Sequence, residues 1–161
     1  MFKLFKKTKT EAAKLTAPAD GVMFSIEEVS DPMFAQKLLG DGVAFKFEGS
    51  SVVVNAPASG TLSALFPTGH AFGVTTSEGV ELLVHIGIDT VSANGEGFRV
   101  LDKNQGDSVN AGDAIVEVDL KTLSEKFDMS TMLVVTESNG KTVSFSEFGK
   151  VEKGQTIGTI Q

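Results

Sequence analysis

The chain of 161 residues contains two histidines, His70 and His85, and imidazole is well suited to nucleophilic attack or proton exchange near neutral pH. There is no cysteine, so a thiolate nucleophile, a disulfide and an iron–sulfur cluster are excluded. Two histidines cannot build a three-histidine zinc site within one chain. The chemistry to look for is therefore that of imidazole groups.

The segment around His85 alternates in hydrophobicity. Residues 80, 82, 84 and 86 are apolar, and a strand directs alternate side chains to opposite faces, so we expect these four in the core. His85 and Leu83 then lie on the outward face. Gly87 follows where the backbone can turn and offer a carbonyl to the imidazole. An outward histidine among apolar groups indicates a site that docks a partner.

His70 follows the turn-like sequence Pro67-Thr68-Gly69 and is flanked by Phe66 and Phe72. The hydroxyl of Thr68 could hydrogen-bond the ring and fix its orientation. No local pattern shows that His70 and His85 are close in space, so the residues alone leave a shared site open.

Many short strands must position these side chains. Glycine accounts for 17 of 161 residues, above the usual share of about 7%, and separates short apolar runs. This spacing predicts an all-β fold, a compact antiparallel sandwich or barrel. Strands are predicted at residues 43–48, 52–54, 80–86, 114–118, 132–135 and 156–160. Two short helices are predicted, over 33–39 after an Asp31 cap, and over 120–127.

Two short motifs occur twice. Ala-Pro-Ala-x-Gly is found at residues 17–21 and 56–60, and Val-x-x-Gly-x-x-Ile at 109–115 and 151–157. The repetition predicts an internal duplication and a pseudo-symmetric sandwich. Chance recurrence in a glycine-rich β protein is the alternative.

Charge divides the chain into a basic tail, residues 1–15, and a domain, residues 16–161. The tail has five lysines and one glutamate, whereas the whole chain has a net charge of −7. An acidic body argues against nucleic acid as a partner. The tail is interpreted as disordered or as an amphipathic helix in peripheral contact with an anionic membrane. Without a run of about 18 apolar residues or a secretory core, a cytoplasmic protein is expected.

Six segments together resemble one protein family. Residues 80–91, VELLVHIGIDTV, resemble the phosphorylation-site signature of the glucose-type enzyme IIA of the bacterial phosphotransferase system. Residues 66–72, FPTGHAF, resemble the accessory-histidine segment of that family. Four further segments match in order and at suitable spacing, at residues 17–21, 31–34, 40–44 and 56–61. The resemblance extends from about residue 16 to the end, and Leu83 stands where many relatives have phenylalanine.

The resemblance implies a phosphoryl relay. The histidine-containing phosphocarrier protein would phosphorylate His85, which would pass the group to a cysteine on the IIB domain of a sugar transporter. The phosphoryl group would sit on the ring nitrogen far from the backbone, while the near nitrogen donates to the Gly87 carbonyl. His70, oriented by Thr68, would contact the phosphoryl oxygens.

The resemblance also implies a docking face. An apolar rim would be formed by Met33, Phe34, Leu38, Phe66, Leu83 and Val91. Asp31 and Asp89 would receive an arginine of the phosphocarrier, or would serve only as helix cap and turn residue. No cofactor is required, although a zinc ion could be shared by His70, His85 and a partner's carboxylate. Regulatory partners are known for some members of the family.

Two other functions remain open at this stage. A lipoyl- or biotinyl-carrier-like module would suit the repeated turns, but no lysine stands out at a hairpin tip. A regulatory binding module with a catalytically silent site is the second alternative. A zinc hydrolase on a related sandwich would need more histidines than the chain contains.

Overall fold

Short antiparallel strands form nearly all of the regular structure in the computed structural model, which describes residues 13–161. The strands are β1 (Ala13–Thr16), β2 (Gly21–Ser25), β3 (Asp41–Phe47), β4 (Val52–Asn55), β5 (Gly60–Leu65), β6 (Ala71–Thr76), β7 (Glu81–Ile86), β8 (Phe98–Val100), β9 (Ser108–Val109), β10 (Ala114–Val118), β11 (Thr131–Glu137), β12 (Val143–Phe145), β13 (Gly149–Val151) and β14 (Thr156–Ile160). The helices are single turns, α1 (Pro32–Ala35) and α2 (Leu120–Leu123), with 3-10 turns at Ile26–Glu28 and Thr90–Ala93.

The strands are arranged in one large and two small sheets. An eight-stranded sheet has the order β13-β2-β3-β11-β7-β6-β5-β9, and the three-stranded sheets have the orders β1-β14-β12 and β4-β10-β8. Side chains from all three sheets, including Leu15, Val54 and Leu133, share one apolar core. The small sheets therefore pack on one face of the large sheet, which confirms the predicted antiparallel sandwich.

The strand order has a pseudo-twofold symmetry that relates the two halves of the chain. Exchanging β13 with β9, β2 with β5, β3 with β6 and β11 with β7 reverses the large sheet onto itself. The same operation exchanges β1-β14-β12 with β4-β10-β8. The repeated motifs at residues 17–21 and 56–60 hold equivalent positions, after β1 and after β4. The predicted duplication is confirmed at the level of topology.

Hydrogen bonds from the residues that precede these motifs connect the two halves. The backbone N–H of Thr16 donates to the Pro57 carbonyl at 2.8 Å, and the N–H of Asn55 donates to the Pro18 carbonyl at 3.0 Å. The Asn55 side chain donates a second bond to Pro18 O at 2.7 Å, and Thr16 Oγ1 donates to Pro57 O at 3.3 Å. Each half therefore supplies the donors for the proline carbonyl of the other.

The outer face of the large sheet is covered unequally. Val84 of β7 pairs with Leu133 of β11 at the centre of the large sheet, where the two halves meet. The residues that follow them in the sequence, His85 and Val134, therefore hold equivalent positions in the two halves. Val134 is fully buried in a second apolar cluster, beneath the long β2–β3 connection of residues 26–40. The equivalent β5–β6 connection, residues 66–70, is short, and His85 is only half-buried.

Both predicted helices and the tail boundary differ from the sequence predictions, and eight of the described strands, among them β5 and β6, were not predicted. The first helix ends at Ala35 instead of continuing to residue 39, because Lys37 has a φ of 59° in the left-handed region. The second ends at Leu123 instead of residue 127. Residues 13–15, assigned above to the tail, belong to β1 because they pair with β14.

The interpretation of the tail as disordered or as an amphipathic helix concerns residues 1–12, which lie outside the described range. Among residues 13–161, no helix is long and apolar enough to cross a bilayer.

Candidate functional site

His85 projects from the outer face of β7, as the alternation predicts. Leu82, Val84 and Ile86 on either side of it in the sequence are buried in the core, whereas His85 and Leu83 are half-buried on the other face. Strand β7 lies between β6 and β11, so the backbone that carries His85 is paired on both edges. The position of His85 is consequently fixed by the centre of the sheet.

The tautomer of His85 follows from one hydrogen bond. Its Nδ1 lies 2.9 Å from the Gly87 carbonyl oxygen, and a carbonyl can only accept, so the proton is on Nδ1. Nε2 then carries the free lone pair. Gly87 has a φ of 84°, and a Cβ built there would lie 2.4 Å from the Thr90 side chain and 2.9 Å from Met129 Sδ. Only glycine fits this backbone.

His70 lies at the end of the tight turn before β6 and is 3% exposed. Its Nδ1 is 2.7 Å from Thr68 Oγ1, which is the contact that the sequence predicts. The Phe66 ring packs edge-on against the imidazole, with centroids 5.1 Å apart. These contacts hold the ring in one orientation.

The structure brings the two histidines together. Their ring centroids are 5.4 Å apart and the rings are inclined at 78°. The cause is the hairpin formed by β6 and β7, which places Ala71 opposite His85, while the N–H of Ile86 donates to the His70 carbonyl at 2.7 Å. One phosphoryl-sized group could contact both rings.

Both imidazoles favour the neutral form. Burial lowers the pKa of His70, and the nearby His85 lowers it further. Burial also lowers the pKa of His85 and outweighs the Gly87 hydrogen bond and the charges of Asp31 and Asp89, which raise it. A neutral His85 keeps its nucleophilic lone pair. A neutral His70 can donate from Nε2 when the Thr68 hydroxyl donates to Nδ1.

The expected apolar rim is partly exposed. Met33, Leu38, Phe66 and Val91 are exposed, with Leu38 at 69%. Phe34 is only 4% exposed, and its ring packs against His85 with centroids 5.2 Å apart. Its assignment to the docking surface stays a prediction. Leu83 is half-buried against the second apolar cluster. Phe34 and Leu83 therefore pack beside His85, in the second apolar cluster.

The two aspartates differ in their local roles. Oδ1 of Asp31 accepts the Met33 N–H at 2.9 Å and caps α1, the alternative that the sequence left open. Asp89 has a left-handed φ of 61° and an exposed side chain that makes no capping bond. The carboxylate of Asp89 is thus the more accessible partner for a cation.

Metal binding would need ligands from beyond the described residues. Among residues 13–161, no three His, Cys, Asp or Glu side chains form a group that could hold a metal ion. A zinc ion at His70 and His85 would take its remaining ligands from a partner.

Residues 128–130 support the site through backbone hydrogen bonds, and they were not among the residues predicted from the sequence. The N–H of Gly87 donates to the Ser130 carbonyl at 3.1 Å, and the N–H of Ile88 donates to the Asp128 carbonyl at 2.8 Å. The spacing Asp-x-Ser is typical of a side chain that bonds the backbone two residues on. That signal indicates a turn, but not which segment the turn supports.

Comparison with known proteins gives one consistent family. The family described as phosphoenolpyruvate-dependent sugar phosphotransferase system, EIIA 1, matches residues 13–141. A PTS system glucose-specific EIIA component of Mycoplasma capricolum is 40% identical over 149 residues, covering 92% of this chain and 95% of its own. The component of that name in Halalkalibacterium halodurans is 46% identical over 142 residues, covering 84% and 80%.

A longer relative and a solved structure agree with this grouping. The PTS system glucose-specific EIICBA component of Staphylococcus carnosus is 39% identical over 88% of this chain and 21% of its own length. The glucose permease IIA structure from Mycoplasma capricolum superposes with a TM-score of 0.86 at 40% identity, covering 93% of this chain and 96% of that one.

Proposed function

Because the chain belongs to the EIIA 1 family of the phosphoenolpyruvate-dependent sugar phosphotransferase system, we propose that His85 is its phosphoryl acceptor and that His70 assists the transfer. The observation that carries the proposal is the Nδ1 bond of His85 to Gly87 O at 2.9 Å, which leaves Nε2 free beside the His70 ring. The match to this family argues against the lipoyl- or biotinyl-carrier alternative.

The phosphoryl donor in this proposal is the histidine-containing phosphocarrier protein, and the acceptor is the IIB domain of a sugar transporter. The EIICBA relative supports the second partner, since its name joins a IIB and a IIC part to a IIA part in one component. The exposed Phe66, Leu38 and Val91 supply an apolar contact surface, and Asp89 supplies a carboxylate for a basic side chain.

The first transfer needs no prior loss of a proton. The lone pair on Nε2 of His85 attacks phosphorus, and the bond from phosphorus to the donor nitrogen breaks with its electron pair returning to the donor. Positive charge develops on the His85 ring, and the Gly87 carbonyl stabilises it through Nδ1–H. In the second transfer the pair of the Nε2–phosphorus bond returns to Nε2 as the group moves to a IIB thiolate.

His70 contributes most to the second transfer in this scheme. Phosphoryl transfer passes through a loose transition state with charge on the equatorial oxygens, so placement of donors carries much of the catalysis. The phosphocarrier brings its own groups to the first step. His70, held by Thr68 at 2.7 Å, supplies an Nε2–H donor when the phosphoryl group leaves His85.

A phosphorylation assay tests the acceptor. The protein is incubated with phosphoenolpyruvate, the general phosphotransferase enzyme and the phosphocarrier, and its mass is measured before and after acid. We expect one acid-labile, base-stable phosphoryl group on the wild type and none on His85→Ala, whose fold persists because the side chain lies outside the core. A phosphorylated His85→Ala would overturn the assignment, and an unlabelled wild type would favour the silent regulatory module.

A chase experiment tests the division of labour between the histidines. We expect His70→Gln to accept the phosphoryl group but to deliver it to a purified IIB domain more slowly, by on the order of 10²–10³-fold, as for removal of a single transition-state donor. Delivery at the wild-type rate would restrict His70 to a structural role.

A further inference from the structure

The carboxylate of Asp128, just before β11, joins two segments that contact His85. Its Oδ1 accepts hydrogen bonds from the Ser130 N–H at 2.9 Å and the Ser130 hydroxyl at 2.7 Å. Its Oδ2 accepts a bond from Ser30 Oγ at 3.2 Å, and Lys46 Nζ lies 3.6 Å from Oδ1. The side chain therefore connects the start of β11 to the β2–β3 connection.

The backbone of the same loop holds the peptide that orients His85. The carbonyls of Asp128 and Ser130 accept the N–H groups of Ile88 at 2.8 Å and Gly87 at 3.1 Å. The Gly87 carbonyl and the Ile88 N–H belong to one planar peptide, so the bond to Asp128 O fixes the direction of that carbonyl. The same carbonyl accepts Nδ1–H of His85 at 2.9 Å.

The second carboxylate oxygen of Asp128, Oδ2, connects to the segment that carries Phe34, whose ring packs against His85. Ser30 directly precedes Asp31, which caps α1, and α1 carries the Phe34 ring that packs against His85. A single carboxylate thus restrains both the hydrogen-bond acceptor behind the imidazole and the segment carrying the ring beside it.

Asp128 is ionised in this setting. Burial raises the pKa of Asp128, but the hydrogen bonds from Ser130, the charge of Lys46 and the Ser30 bond outweigh it, so that the pKa lies below its ordinary value. An ionised carboxylate accepts from all three of these hydrogen-bond donors at once.

We propose that Asp128 is a positioning residue for His85. Its carboxylate shapes residues 128–130 so that their carbonyls hold the Gly87–Ile88 peptide, which keeps the proton on Nδ1 and presents Nε2 to the phosphoryl donor. The inference rests on the proposed acceptor role of His85, and Asp128 itself touches no reacting atom.

The test reads the His85 tautomer directly. In the unphosphorylated protein, the ¹⁵N signals of the imidazole report how much of the ring carries the proton on Nδ1. We expect Asp128→Ala to increase the Nε2–H form and to slow single-turnover phosphorylation by about fivefold, the equivalent of one ordinary hydrogen bond. Asp128→Asn keeps an acceptor oxygen for Ser130 and is expected to restore most of both values.

A matched control removes a similar turn carboxylate elsewhere. Oδ2 of Asp113 accepts the Asn110 N–H at 2.8 Å in the turn between β9 and β10. Asp113→Ala is expected to leave the His85 signals and the phosphorylation rate unchanged.

Two outcomes separate this inference from the proposed function. Asp128→Ala could lower the melting temperature and yet leave the His85 tautomer and the phosphorylation rate at wild-type values. Asp128 would then only stabilise the fold, and the inference would be overturned. Ser130→Ala serves for the same measurement where Asp128→Ala does not fold. Failure of the wild type to accept a phosphoryl group would overturn the function instead, because the tautomer measurement involves no donor.

Discussion

At the scale of single residues, the site consists of two imidazoles with different surroundings. His85 is half-buried and bonded to a backbone carbonyl, whereas His70 is 3% exposed and bonded to a hydroxyl. A carbonyl dictates the tautomer, while a hydroxyl can donate or accept. The orientation of His85 is thereby fixed by the backbone, and that of His70 is set by the Thr68 side chain.

The lowered pKa values of both histidines predict how stability depends on pH. In the unfolded chain each imidazole has a pKa of about 6.5, so on acidification the unfolded state binds protons first. The free energy of unfolding is therefore expected to fall as pH drops from about 6.5 to the depressed folded-state values, and this contribution is complete above about 6.5. Urea unfolding over this range measures it.

The control for this pH dependence is the double variant His70→Gln, His85→Gln. It is expected to show a flatter profile, because the lowered carboxyl pKa values of Asp119 and Asp128 act only at lower pH. A wild-type stability that rises on acidification through the same window would contradict the assignment of neutral histidines.

At the scale of elements, local patterns predicted six of the fourteen described strands and the immediate surroundings of each histidine, whereas contacts distant in sequence were not visible. Alternation placed His85 outward, and the spacing of Thr68 to His70 and of His85 to Gly87 indicated their hydrogen bonds. The helix over 33–39 was overpredicted because the unfavourable φ of Lys37 leaves no sequence signal. Asp128 was missed because its contacts with Ser30 and Ile88 depend on how β11 pairs in the sheet.

The burial of Phe34 changes which substitutions test the docking face. We expect Phe66→Asp and Leu38→Asp to raise the phosphocarrier concentration needed for half-maximal transfer, with the rate at saturation nearly unchanged, because both side chains are exposed. Phe34→Asp is expected to lower the melting temperature instead, since it puts a charge in an apolar cluster. Stopped-flow transfer and thermal unfolding separate the two effects.

The docking prediction also has a contrary outcome. If neither exposed substitution changes the concentration dependence, the phosphocarrier binds elsewhere. A surface control is Val22→Asp on β2, another exposed apolar residue that lies outside the expected rim.

At the scale of the whole molecule, the duplicated halves are interleaved in one sheet. The half containing β4 to β10 is inserted between β3 and β11 of the other half, and β7 pairs with β11 inside one sheet. Separating the halves would break this ladder and the Thr16–Pro57 and Asn55–Pro18 bonds together. We therefore expect the fold to unfold as one cooperative unit.

Removing a shared contact is expected to destabilise both halves equally. Asn55→Ala deletes two side-chain bonds, to Pro18 O and Val53 O, so we expect a loss of roughly 1–2 kcal/mol in the free energy of unfolding. Urea unfolding followed through amide NMR signals of β2 and β5 is expected to give one common midpoint. Two separate midpoints would refute the single cooperative unit.

The insertion of one half into the other also sets an order of synthesis. The ribosome delivers residues 52–118, with both histidines, before residues 128–137 exist. A nascent chain at that stage lacks β11, one of the two partner strands of β7, and both carbonyls that accept hydrogen bonds from Gly87 and Ile88. On the proposed acceptor role of His85, we therefore expect unfinished chains of this length to compete poorly with complete ones for phosphoryl groups.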